Sequence, residues 1–69
     1  MYIVIEIQKN AEGQVATLVS TFTNQNEAES KYHEILKYAA VSTLPKHSAV
    51  ILGEDGYELM YNCYIHGGE

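Results

Sequence analysis

The sequence predicts an α+β domain of order ββαββ, a four-stranded antiparallel sheet with one helix packed on one face. Three observations carry that expectation. Tyr2 to Lys9 alternates, with Ile3, Ile5 and Ile7 on one side and Tyr2, Val4, Glu6 and Gln8 on the other, the period of a strand. After Asn24 the apolar period lengthens to three and four. On either side of that helical stretch, a short turn divides a β-rich segment into two halves.

The elements follow in order. Asn10-Ala11-Glu12-Gly13 is the first turn, with Asn to start it and Gly where positive φ is easiest. Val15 to Phe22 resumes as a strand, with Ala16, Leu18 and Phe22 on one face and Val15, Thr17, Val19 and Thr21 on the other. Asn24, three residues before Glu27, has the spacing of a capping box with Asn in place of Ser or Thr. Ala28, Tyr32, Ile35, Leu36, Ala39 and Ala40 then form one helical stripe, and Glu27 and Lys31 are spaced for an ion pair. Pro45 guarantees that the helix has ended. Ala49-Val50-Ile51-Leu52 reads as a central strand, and Asp55-Gly56 as the tip of the second hairpin. On the last strand Tyr57, Leu59, Tyr61, Cys63 and Ile65 alternate with Glu58, Met60, Asn62, Tyr64 and His66. Residues 1–66 make one domain and 67–69 a flexible C-terminal tail, with His66 at its loose beginning.

The apolar runs Ile3–Ile7 and Ala49–Leu52 put the first and third strands in the centre, for a spatial order 2-1-3-4; a ubiquitin-like 2-1-4-3 is the alternative. A single helix of about 18 residues is ~27 Å long and covers one face of such a sheet. The other face would normally be polar, yet apolar residues occur on both sides of the strands. The expected working surface is therefore the uncovered face, with Tyr2, Val4, Val15, Val19, Met60 and Tyr64 as the candidate interface.

Size argues in the same direction. A chain of 69 residues sits where a core alone gives little stability margin, and disulfides, a metal or a partner subunit usually add to it. Cys63 is the only cysteine, which excludes an intrachain disulfide and suits a cytoplasmic protein. MYIVIEIQKN is too short and too acidic for a signal peptide or a membrane span. The net charge is −5, and all four basic residues are scattered lysines, so no nucleic acid and no membrane is expected as a partner. A homodimer or higher oligomer is.

No catalytic, metal or cofactor site is expected. Cys63 and His66 are three apart, a spacing that points them to opposite sides of a strand, and zinc wants four converging ligands. Cys63 lies among tyrosines in an acidic chain, not in the electropositive setting a nucleophilic thiolate needs, and reads as packing. Glu54 and Asp55 are explained by the turn they occupy. The six tyrosines are the most unusual feature, because tyrosine gives large contact area at low entropic cost. They raise the alternative of a small-molecule sponge with a tyrosine-lined pocket between subunits, taking an aromatic or nucleotide-like ligand.

Two resemblances add context. Gly67-Gly68 after this element order resembles ubiquitin-like proteins and their sulfur-carrier relatives, which end on the second glycine where this chain continues to Glu69; a carrier is the implied function. The helix start Asn26-Glu27-Ala28-Glu29-Ser30-Lys31-Tyr32-His33, with Ala39-Ala40-Val41-Ser42-Thr43-Leu44-Pro45 and His47-Ser48-Ala49-Val50-Ile51-Leu52, resembles a group of small proteins without assigned activity from anaerobic gut bacteria, their phages and mobile elements. That resemblance implies a non-enzymatic accessory factor that blocks or sequesters a host component.

Overall fold

Two glycines make the hairpins possible. Among the described residues Gly13 and Gly56 are the positions with positive φ, +86° and +88°, a region open to Gly at no steric cost. In the first turn the Asn10 side chain accepts from the Glu12 and Gln14 amides, each at 2.9 Å, and the Gly13 amide donates to the Asn10 carbonyl. In the second the Asp55 carboxylate accepts from the Tyr57 amide. Around these turns the computed structural model, which describes residues 1–66, forms β1 (Tyr2–Lys9), β2 (Val15–Phe22), α1 (Gln25–Ala39), β3 (Lys46–Gly53) and β4 (Glu58–Ile65). The expected tail at 67–69 lies outside the described residues.

The helix begins where its cap places it. The Asn24 side chain accepts from the Asn26 and Glu27 amides at 2.7 and 3.3 Å, satisfying two donors that have no partner within the helix. Lys31 pairs with Glu34 at 3.7 Å, three residues on, where spacing alone suggested Glu27. At the other end His66 is held rather than loose. Its amide donates to the Pro45 carbonyl at 2.8 Å, and its ring lies 2.9 Å from the Ala39 carbonyl, one of the orphan acceptors at a helix C-terminus.

The sheet order is β2-β1-β3-β4, and every neighbouring pair is antiparallel. β1 pairs with β3 and not with β4, which sets aside the ubiquitin-like order. β2 and β3 both run against β1 and therefore run parallel to each other, with α1 carrying the chain between them. Ala28, Tyr32 and Ile35 of the helix pack on Val4, Ala49 and Ile51. Ala28 and Ala49 have no exposed surface, and such small side chains let helix and sheet approach closely.

This packing assigns the two faces. Val4, Ala49 and Ile51 lie under the helix, and by register Phe22, Ser20, Leu18 and Ala16 on β2 and Met60, Asn62 and Tyr64 on β4 share that side. Four residues of the expected interface are thus misplaced. Val4 is 1% exposed, and Tyr2 and Met60 pack against the core. Tyr64 shares a rung with buried His47. The physical reason is register. The first hairpin pairs Ile5 with Val19 and Val4 with Ser20, so Val4 and Val19 never share a face.

Candidate interaction surface

The face without a helix is built rung by rung. Ile3 pairs with Thr21 and Leu52; Ile5 with Val19 and Val50, and Val50 with Tyr61; Ile7 with Thr17 and Ser48, and Ser48 with Cys63; Lys9 with Val15 and Lys46, and Lys46 with Ile65. Apart from the two lysines at one end, the rungs from Ile5 onward are apolar or small. Val15, Val19 and Ile65 remain 61–62% exposed and Tyr61 56%, while the central isoleucines are shielded only by their neighbours in the sheet. Of the candidate interface residues, Val15 and Val19 are here. The sequence reading passed over Ile3, Ile5, Ile7, Val50, Leu52, Tyr61 and Ile65, because an isoleucine-rich face of a central strand reads as core.

The charges are unevenly placed along the strands. Lys9 and Lys46 sit side by side at one end. At the other, Glu58 shares a rung with Leu52, and Glu54 and Asp55 form the adjoining turn, where the N-terminal amine donates to Glu54 at 3.0 Å. A register irregularity between Ile51 and Leu52 leaves Leu59 as an extra residue in β4, a bulge of the kind found at sheet edges.

The helix-covered face holds the most polar group of the interior. His47, 5% exposed, lies with its Nε2 2.6 Å from the Glu6 carboxylate, which also accepts from the Gln8 amide at 2.8 Å. Burial pushes the Glu6 pKa up, but the hydrogen bonds with His47 and Gln8 and the charges of His47 and Lys31 outweigh it, leaving Glu6 below its ordinary 4.5. Glu6 is then the acceptor and the His47 Nε2–H the donor. The other ring nitrogen, Nδ1, is buried with no partner, so the dyad presents no base to solvent. Beside it an open groove of about 590 Å³ is lined by Gln8, Asn10, Gln14, Val15, Ala16 and Leu44.

The remaining sequence candidates do not converge. Cys63 is on the helix-free face, whereas His66 binds the helix end, and among the described residues no three His, Cys, Asp or Glu side chains gather around a possible ion. The tyrosines disperse. Tyr32 is core, Tyr2 and Tyr64 lie on the helix side, and Tyr38 and Tyr57 are exposed elsewhere. Tyr61 alone among them stands within the rungs just described, where hydrogen bonding to Cys63 first of all raises its pKa above 10.0. Among the described residues no helix is long and apolar enough to cross a membrane. The chain matches no protein-family model, no curated protein and no solved structure.

Proposed function

We propose that this chain is a non-enzymatic binding protein that self-associates through the helix-free face of its sheet. One observation supports the reading above the others: the uncovered face is about as apolar as the one beneath the helix, where a face turned to water would be mostly polar. Ile3, Ile5, Ile7, Val19, Val50 and Leu52 form its middle, and its charges, Lys9, Lys46 and Glu58, stand at the two ends. A contiguous apolar surface left half-exposed, rimmed by exposed Val15, Val19, Tyr61 and Ile65, marks an interaction site.

A second copy of the chain is the occupant that fits. Strands ~4.8 Å apart and ~3.3 Å per residue give a four-stranded, eight-residue face of roughly 19 by 26 Å, so two such faces bury on the order of 1,000 Å², about what a specific interface needs. Charge selects the arrangement. A two-fold axis along the strands would stack Lys9 on the partner's Lys46, like charge on like. An axis across the strands instead brings the lysine end of each copy to the Glu54, Asp55 and Glu58 end of the other, and complementary ends steer association. Such an assembly, acting in the cytoplasm, is also the form in which the chain would block or sequester a host component, the accessory role implied by its resemblance to small proteins of phages and mobile elements. The dispersal of the tyrosines gives no support to a tyrosine-lined ligand pocket.

Sedimentation velocity tests the proposal. The wild type should show at least twice the 7.7 kDa chain mass and a melting temperature that rises with concentration. Val50→Lys, at the centre of the face, should lower that mass while leaving the circular dichroism of the fold intact. A 7.7 kDa species at millimolar concentration, with a concentration-independent melting temperature, would overturn it.

A further inference from the structure

The two edges of the sheet are treated differently. In an antiparallel sheet the residues of an edge strand alternately turn their amide and carbonyl groups inward, to the neighbouring strand, and outward. The phase is fixed by the bonds at the hairpin ends: Asn10 donates to the Gln14 carbonyl, Gly53 to Tyr57, and His66 to Pro45. It follows that Val15, Thr17, Val19 and Thr21 turn their backbone groups outward on β2, and Tyr61, Cys63 and Ile65 do so on β4. The β4 edge is blunted. Its bulge interrupts the register at one end, and the Asn62 side chain accepts from the outward Cys63 amide at 2.8 Å. The β2 edge, VATLVSTF, has no charge, no proline and no bulge, and it pairs with β1 in unbroken register over all eight residues. Long, flat, uncharged edges of that kind are what natural proteins avoid unless another strand occupies them.

Leu18 is a second, independent sign. It stands on the helix side of the sheet yet is 59% exposed, so the helix-free face does not account for it. We infer that the β2 edge pairs with the β2 edge of a second copy, antiparallel about a two-fold axis at Leu18, joining two sheets into one of eight strands. The sequence is self-complementary in that register. Leu18 meets Leu18 of the partner subunit, Ala16 meets Ser20 on the same side, and Thr17 meets Val19 on the other, pairs of β-branched residues that suit a cross-strand site. The outward groups of Thr17 and Val19 become the bonded ones, and no charge is buried. Because this axis is perpendicular to the sheet, it leaves the helix-free face open, and both contacts can form at once in a tetramer.

Thr17→Pro separates the two contacts. Its outward amide makes no bond to β1, so proline there removes a donor only from the proposed edge, a placement sheets tolerate. Leu18→Glu, at a site exposed in the monomer, would set two carboxylates against each other across the axis. Each variant should halve the sedimenting mass with unchanged circular dichroism and weaken association at least tenfold, whereas Val50→Lys removes only the face contact. In the wild type, amide exchange measured by NMR should be as slow at Thr17 and Val19 as at the inward Leu18. Fast exchange at Thr17 and Val19, or an unchanged mass in both edge variants, overturns the edge pairing and leaves the face proposal standing. Loss of mass in the edge variants but not in Val50→Lys does the reverse.

Discussion

The two faces of this sheet differ in burial but hardly in polarity. The face under α1 holds a bonded carboxylate, imidazole and side-chain amide, Glu6, His47 and Gln8, beside the core residues Val4, Ala49 and Ile51; the face without a helix carries Ile3, Ile5 and Ile7, with Lys9 and Lys46 at one end. Alanines at the helix contact explain how the polar cluster is tolerated. With Ala28, Ala39 and Ala49 fully buried, the helix lies close over Val4 and Ile51, and the polar groups meet one another rather than aliphatic surface. What the difference teaches is that apolar area alone does not locate a monomer's core. Helix placement does, and apolar area left over then points to an interface.

Neighbouring residues of β1 provide the sharpest way to break this comparison. Val4→Lys should unfold the chain, since it buries an unpaired charge at a 1% exposed site, a cost of at least 4–5 kcal/mol, about the upper end for single substitutions. Ile5→Lys, one residue on and on the opposite face, should leave a folded protomer and weaken face-to-face association by about 3 kcal/mol through an uncompensated charge in the contact. If urea denaturation found the two variants equally unfolded, the assignment of faces would fail.

The polar cluster gives a smaller effect, about 2 kcal/mol for His47→Leu, which leaves the half-buried Glu6 carboxylate with Gln8 as its remaining partner. It also gives a pH dependence. The folded pKa of Glu6 is depressed below 4.5, so its contribution is complete above the unfolded value and is lost as pH falls through the folded one. Glu6→Gln should therefore be less stable at neutral pH yet show a flatter fall in stability below about pH 4.5, measured by urea titrations at several pH values. The smallest effect belongs to Cys63→Ser. The thiol is only partly buried, and the change should stay within about 0.5 kcal/mol, read as an unshifted denaturation midpoint.

The element order, both turns, the Asn24 cap and the central position of β1 and β3 were legible because each depends on neighbours in sequence. Periodicity separates two faces but does not say which one the helix covers. That choice is tertiary, made by the path of α1 over the sheet, and it moved Tyr2, Val4, Met60 and Tyr64 from the expected surface to the helix side. Part of the error was avoidable. The tight turn at Asn10–Gly13 pairs odd residues with odd and even with even, which already ties Val15 and Val19 to Ile3, Ile5 and Ile7. The Glu6–His47 pair joins residues 41 apart in sequence, and no local pattern announces it.

The clasp of His66 on the Ala39 carbonyl decides how the protein can be handled. Its ring bonds a helix carbonyl, so the chain reaches residue 66 on the helix side of the sheet, at the end marked by Lys46 and Pro45. A tether to a sensor chip or a bead, attached on the helix side, leaves the isoleucine face turned toward solution. The amine that bonds Glu54 lies beside the acidic end of that face, so attachment on the helix side is the orientation in which capture of a second copy can be measured without obstruction.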